Sequence, residues 1–359
     1  MLSSIESLKT KVCALADDPS QFAPVAGAVF QLQWEQNKAY RTWCESVGWD
    51  EKRVDAAASN PEFSPHDFPH LPVQAFKYAD VLTSSLGADQ VSEQPSVESL
   101  VFETSGTTST RQGTSPGRHT VLDPSMYRWS LLEGFTRKYG PPTDWCILAL
   151  LPDYLQRKRS SLVHMVVELH KASGHKEQGF FLDDTTDLTR RAQRALASGH
   201  RVMILGVTHA LLDYASSRPD FSTASPDRLV VVETGGMKGL RKELVRDELH
   251  ALLQNDLPQA CIGSEYGMTE MLSQGWSTGA RFQAPPWMRP SVRRSDDPFS
   301  RQKFGRTGGL NFVDLANLHS CAFLATQDLG RVYSDGSFEV LGRFEAGEVR
   351  GCNLLLLES

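Results

Sequence analysis

The chain has 359 residues, 40% of them apolar, 22% charged and 9% aromatic, which excludes disordered and collagen-like classes and supplies enough apolar material for a sizeable core. Its formal net charge of -6 argues against a nucleic-acid binder, which carries a basic face to neutralise phosphates. A chain of this length is expected to form about two domains, or one large domain with a small appendage.

The N-terminal segment carries Glu6 and Lys9 and lacks a continuous apolar stretch, so no signal peptide is expected. No apolar run approaches the roughly 20 residues of a membrane-spanning helix. The expectation is a cytoplasmic protein with no membrane span and no nucleic-acid partner. Residues 30–49 place apolar side chains at helical spacing, and the first hundred residues read as a helix-rich subdomain (1–98). The proline- and histidine-rich residues 63–76 cannot continue a helix and read as an ordered extended connector. A short strand is expected at residues 99–103. From residue 145 to 269, strand-like runs (WCILALL, RVMILGV, RLVVVE, QACIG) alternate with helical ones (SSLVHMVVELHKA, KELVRDELHALLQ). This alternation predicts an α/β core with a mainly parallel sheet over residues 99–275, whose ligands would sit outside the carboxyl ends of the strands. Residues 276–343 read as short β pieces, with Asp335-Gly336 marking a hairpin turn, and residues 344–359 as a tail carrying Cys352. The six cysteines, Cys13, Cys44, Cys146, Cys261, Cys321 and Cys352, contain no C-x-x-C pair and are expected to be free thiols.

Three loops carry residues suited to chemistry. The first, ETSGTTSTRQGTSPGRHTV (residues 103–121), follows a strand and concentrates Thr104, Ser105, Gly106, Thr107 and Thr108, hydroxyls and a glycine able to wrap phosphates, with Arg118 to add charge; a plain polar surface loop fits the same composition. It is not a Walker loop. The stretch GTSPG within it matches the serine-hydrolase elbow G-x-S-x-G, but Pro116 has no N–H to offer an oxyanion. The second, VVVETGGMKGLRKEL, runs a buried strand into Gly235 and Gly236, which would let a base lie against backbone at a helix start. Lys238 there is a candidate contact for phosphate or carboxylate, or simply a solvated lysine. The third, ACIGSEYGMTEMLSQ, gathers Ser264, Tyr266, Gly267, Thr269 and Glu270 after a strand. Glu270 could ligate Mg²⁺ with substrate phosphates, Thr269 could bond phosphate and Tyr266 could stack on a base.

Read together, TSGTT (residues 104–108) resembles the phosphate loop of the adenylate-forming acyl-CoA synthetase superfamily, and YGMTE (266–270) resembles its adenosine and Mg²⁺ loop. TQDLGRV (326–332) is similar to the segment whose aspartate, here Asp328, binds ribose, and LGRF (341–344) to the hinge with Arg343. Within that superfamily, the short length, the GGMKG turn and the ending RGCNLLLLES resemble the acyl-protein synthetases of the bacterial bioluminescence fatty-acid reductase complex. The resemblance implies ATP and Mg²⁺ as cofactors, a carboxylic acid of the fatty-acid class as substrate, and Cys352 as the acyl acceptor. It also implies a reductase or other acyl-accepting protein partner. The superfamily's acid pocket would fall near His164, which could equally be a core histidine, and near Ser264. Two departures stand against it: Gln112 replaces the usual phosphate-loop lysine, and the mobile C-terminal domain with its catalytic lysine is largely missing. Phosphate contact could pass to Arg111, Arg118 or His119, and charge neutralisation to Lys238. Transfer to coenzyme A, an amine or a carrier protein, or a non-catalytic acyl- or nucleotide-binding role, are the competing readings.

Overall fold

A computed structural model describes residues 4–60, 64–84, 99–104, 116–152, 157–235 and 245–344. Four helices open the chain: α1 (Ile5–Ala14), α2 (Phe22–Gln36), α3 (Lys38–Ser46) and α4 (Glu51–Ser59). The helical run expected over residues 30–49 is broken at Asn37. Its side-chain oxygen caps α3 by accepting from the Tyr40 N–H at 3.0 Å, while its amide donates to the Ser320 carbonyl at 2.9 Å. A residue that satisfies both a helix start and a distant carbonyl is more useful there than one more helical turn. The expected extended connector contains two 3-10 turns, Pro65–Asp67 and Val73–Lys77, flanking the short strand β1 (Leu71–Pro72).

The central sheet is built from β4 (Trp145–Leu150), β5 (Gly179–Phe180), β6 (Arg201–Val207), β7 (Leu229–Thr234), β8 (Cys261–Tyr266) and β9 (Gly275–Ser277). Its order is β5-β4-β6-β7-β8-β9, parallel throughout except for the antiparallel β9 edge. Continuous apolar runs form these strands because both faces are covered. Along β4, Cys146, Leu148 and Leu150 pack with α7 (Thr185–Ala197), α8 (Thr208–Ser216) and α9 (Arg246–Asp256). The alternate residues Trp145, Ile147 and Ala149 pack with α5 (Pro124–Tyr139) and α6 (Ser161–Ser173) on the other side.

The second sheet, in the order β1-β12-β11-β10, joins β10 (Met288–Arg293), β11 (Gly308–Asp314) and β12 (Phe323–Val332), with β13 (Phe338–Arg343) also paired to β12. It shares one core with the N-terminal helices: Phe30 packs against Phe68 and Phe323, and the Gln33 side chain exchanges hydrogen bonds with the Asn317 carbonyl and the Ala322 N–H. A smaller antiparallel pair, β2 (Leu100–Glu103) and β3 (Arg118–Val121), flanks the first of the three loops. No described helix is long and apolar enough to cross a membrane.

Asp314, at the end of β11, ties the two sheets together. Fully buried, it accepts from the backbone N–H groups of Leu272 (2.9 Å) and Ser273 (3.0 Å) and from the Ser273 hydroxyl, all in the turn that leaves β8. Asp314→Ala would strand these donors in the interior. The expected loss is about 3 kcal/mol of unfolding free energy, read as a lower urea midpoint at unchanged slope.

Candidate active site

The end of β8 and the turn after it meet β3 through His119 and the β12–β13 edge through Tyr266, and several of the described candidate residues gather there. After β7, Gly235 takes φ of +72°, a left-handed conformation that favours glycine, and its carbonyl is held at 2.7 Å by the Thr208 hydroxyl. After β8 comes the turn with Tyr266, Gly267, Thr269 and Glu270. A Cβ on Gly267 would stand 2.5 Å from a Glu265 carboxylate oxygen, so a side chain there would displace the Glu265 carboxylate from its place.

Tyr266 is 9% exposed, its ring stacked on Phe312 and edged by Phe282 and Phe338, and its hydroxyl donates to the Asp328 carboxylate at 2.8 Å. The other oxygen of Asp328 accepts from Arg343 at 3.1 Å, across the β12–β13 register that pairs the two residues. Burial, reinforced by the Asp328 carboxylate, holds the Tyr266 phenol well above its ordinary pKa, so it is a permanent donor. A carboxylate offers about four acceptor positions, so Asp328 retains capacity beyond these two bonds.

Glu270 is 7% exposed, and burial pushes its pKa up to about 7 against a partial pull-down by its own backbone N–H, Arg343 and Lys77. Glu265, one turn back, is likewise raised to about 7 by burial, opposed by a hydrogen bond from Thr234 and helped by the Glu233 charge. The Thr269 and Glu270 carbonyls are clamped by His119 Nδ1 at 2.7 Å and by the Asn317 amide at 3.0 Å. His119 Nε2 lies 2.9 Å from the Ser320 hydroxyl, and burial lowers its pKa to about 4. The imidazole is therefore neutral, enclosed and committed at both nitrogens, and does not take the phosphate role that sequence reasoning left open to it.

Thr104 closes the base of the first loop. Its N–H donates to the Gly117 carbonyl and its hydroxyl accepts from the Gly117 N–H, both at 2.9 Å. Arg118 points outward, 3.9 Å from Glu103. Ser105, Gly106, Thr107 and Thr108, together with Arg111, Gln112, Gly236, Lys238 and Cys352, lie outside the described residues. Sequence reasoning missed Lys77: its side chain stands 3.3 Å from where a Cβ on Gly117 would sit, and its charge reaches Glu270. The signal was hidden because Lys77 ends a 3-10 turn far from every loop the sequence singled out.

Two candidates stand apart. His164 sits in a ring cluster with Phe102 and Tyr127, 3.9 Å from Glu168, and burial lowers its pKa. Ser264 is fully buried, its hydroxyl bonded to Arg246 at 3.0 Å and His250 at 2.8 Å on the α9 side of the sheet, whereas Glu265 turns to the other side. Among the described residues no cluster of three or more His, Cys, Asp or Glu could hold a metal by itself. Glu270 nevertheless fits Mg²⁺, which takes one or two carboxylates and draws its other oxygens from phosphates and water. Its buried carboxylate is an oxygen donor whose raised pKa a cation would relieve.

No family model matches the sequence, and no curated protein matches it. The fold is that of the adenylate-forming ligases. The resemblance is clear for 2-hydroxyisobutyryl-CoA ligase, determined with 2-HIB-AMP and CoA in the thioesterification state: TM-score 0.61, 14% identity, covering 92% of this chain and 69% of that one. An open conformation of the same ligase gives a TM-score of 0.59 at 12% identity, over 89% of this chain and 73% of that one. ATP-bound MatB from Rhodopseudomonas palustris, 17% identical over 68% of this chain, reaches a TM-score of only 0.49. This chain spans 47% of the length of MatB and 57% of that of a luciferase-like enzyme from the mealworm Zophobas morio.

The raised carboxylates make stability depend on pH with a definite sign. The folded state keeps protons on Glu265 and Glu270 up to about 7, whereas the unfolded chain releases them near the ordinary value of 4.5, so their contribution is full below that value and is lost as pH rises through about 7. Glu270→Gln should flatten the fall in urea midpoint between about pH 5 and about pH 7.5. A slope identical to that of the parent protein would show that Glu270 titrates normally.

Proposed function

We propose that the chain activates a carboxylic acid with ATP and hands the acyl group to a protein cysteine, Cys352. In the first step a carboxylate oxygen attacks the α-phosphorus of ATP, forming acyl-AMP and releasing pyrophosphate. In the second the Cys352 thiolate attacks the acyl carbon, forming a thioester and releasing AMP. The observation that carries the reading is the convergence of Glu270, the Tyr266–Asp328–Arg343 group and the Thr104-closed loop base beside the strand ends of an adenylate-forming fold.

The residues divide the work by chemistry. Asp328, held by Tyr266 and Arg343, presents fixed acceptor capacity suited to ribose hydroxyls. Gly235 leaves room for a base against backbone, since a Cβ there would meet no atom of the described residues within 4 Å. Thr104 with Ser105, Gly106, Thr107, Thr108 and Gly236 would enclose phosphates, Arg118 adding charge at the rim, and Thr269 would bond phosphate. Mg²⁺, held by Glu270, would supply Lewis-acid charge neutralisation on the phosphates. The charge that a mobile-domain lysine gives elsewhere falls to Lys238, and Lys77 is placed to share it. Positioning and charge stabilisation suffice, since transfer at phosphorus asks little covalent help of the protein.

A fatty acid is the favoured substrate because of the sequence resemblance to acyl-protein synthetases. Coenzyme A as acceptor is the second reading, favoured by the CoA-bound state of the ligase that shares the fold.

Acid-dependent exchange of labelled pyrophosphate into ATP across fatty, aryl and amino acids is the direct measurement. Glu270→Gln should lower it about 100-fold. Lys238→Ala should suppress it, and full activity in that variant would pass the role to Lys77. Cys352→Ser should keep exchange and lose hydroxylamine-labile acylation of the protein; labelling that persists in the variant, or acyl-CoA as product, would defeat the acceptor assignment.

A further inference from the structure

Glu270 is held on both sides of its own Cα. The Thr269 carbonyl belongs to the peptide plane before that atom and meets His119 Nδ1 at 2.7 Å. The Glu270 carbonyl belongs to the plane after it and accepts from the Asn317 amide at 3.0 Å. A residue has only two soft backbone dihedrals, so pinning both planes sets the direction in which the Glu270 side chain leaves the chain.

The chemistry of the partners fixes the state of the imidazole. A carbonyl can only accept, so His119 carries its proton on Nδ1 and donates it to Thr269. Nε2, 2.9 Å from the Ser320 hydroxyl, then accepts from that group. The ring is 1% exposed and flanked edge-on by Phe76 at 5.3 Å, so water does not compete for either bond.

Both clamps are anchored in other layers. His119 follows closely on Gly117, whose N–H and carbonyl are bonded to Thr104 at the base of the first loop. The Ser320 carbonyl accepts from the Asn37 amide at 2.9 Å and from the Thr83 hydroxyl. Gln33 donates to the Asn317 carbonyl at 2.8 Å and accepts from the Ala322 N–H at 2.9 Å. The segment from Asn317 to Ala322 is thereby fixed to the N-terminal helices, and the Glu270 turn is fixed to that segment and to the strand that leaves the first loop.

We propose that His119 is a positioning residue for Mg-ATP: holding the Thr269 carbonyl from β3, it aligns the Glu270 carboxylate with the phosphates enclosed by the first loop, and Asn317 completes the alignment from the other side. The inference rests on the nucleotide reading given above. His119 touches neither metal nor nucleotide in this role, and its effect passes through the backbone of the turn. Groups that orient a metal ligand commonly change metal affinity by about 10- to 100-fold when removed.

The test is isothermal titration of the full chain with Mg-ATP and, in the presence of EDTA, with metal-free ATP. The amide of Asn falls near Nδ1 of a histidine and that of Gln near Nε2, so His119→Asn can keep the bond to Thr269 while His119→Gln keeps only the Ser320 side. His119→Gln should weaken Mg-ATP about tenfold and metal-free ATP by less than about twofold, with the fold retained by circular dichroism. His119→Asn should stay within about threefold of the parent for both, and Asn317→Ala should repeat the selective loss of Mg-ATP. Equal weakening of the two nucleotide forms in His119→Gln, or identical behaviour of His119→Gln and His119→Asn, would overturn the inference and leave the nucleotide site standing. A parent protein that binds neither form would overturn the nucleotide reading itself, and this inference with it.

Discussion

The turn that leaves β8 has no ladder of its own, and its buried backbone groups are met by side chains from three other places. His119 on β3 holds the Thr269 carbonyl, Asn317 holds the Glu270 carbonyl, and Asp314 takes the N–H groups of Leu272 and Ser273. Unpaired, each such group would cost about 1–3 kcal/mol. The same bonds locate Thr269 and Glu270 relative to β3, and hence relative to the loop that Thr104 closes. A network serving stability and geometry at once explains why a neutral, enclosed histidine stands one residue beyond the exposed Arg118: a solvated imidazole would exchange these bonds for water.

Electrostatics follow from that rigid turn. It buries Glu270 where water cannot solvate a carboxylate, and β8 buries Glu265 opposite Thr234 of the neighbouring strand, so both proton affinities rise toward neutrality. Asp328 is equally enclosed but is met by the Tyr266 hydroxyl and the Arg343 guanidinium. Three carboxylates in one region thus hold two roles. One is hydrogen-bonded into fixed geometry, and the others are held short of solvation, a condition relieved by protons or by a divalent cation.

Much of the fold was legible in the chain. Strands such as WCILALL and RVMILGV are continuous apolar runs because helices cover both faces, and their alternation with helical segments predicted the parallel sheet that the structure contains. The sequence was less informative where a local pattern met a distant demand. The break at Asn37 answers to the Ser320 carbonyl, and β1 within the proline-rich connector exists only because β12 lies alongside it. Neither partner is near in sequence, so no window of residues contains the cause.

By itself the sequence determined which residue types stand at the strand ends, the Gly235-Gly236 pair and the polar stretch from Tyr266 to Glu270, because strand period and residue type are local properties. It also determined that neighbouring residues of a strand face opposite ways. It did not determine which face meets which layer, and for that reason the outward turn of Ser264 toward Arg246 and His250, the Tyr266–Asp328–Arg343 group, the His119 clamp and the approach of Lys77 were decided only by the tertiary structure. Each depends on distances between segments remote in the chain, which packing sets and residue order does not encode within any one stretch.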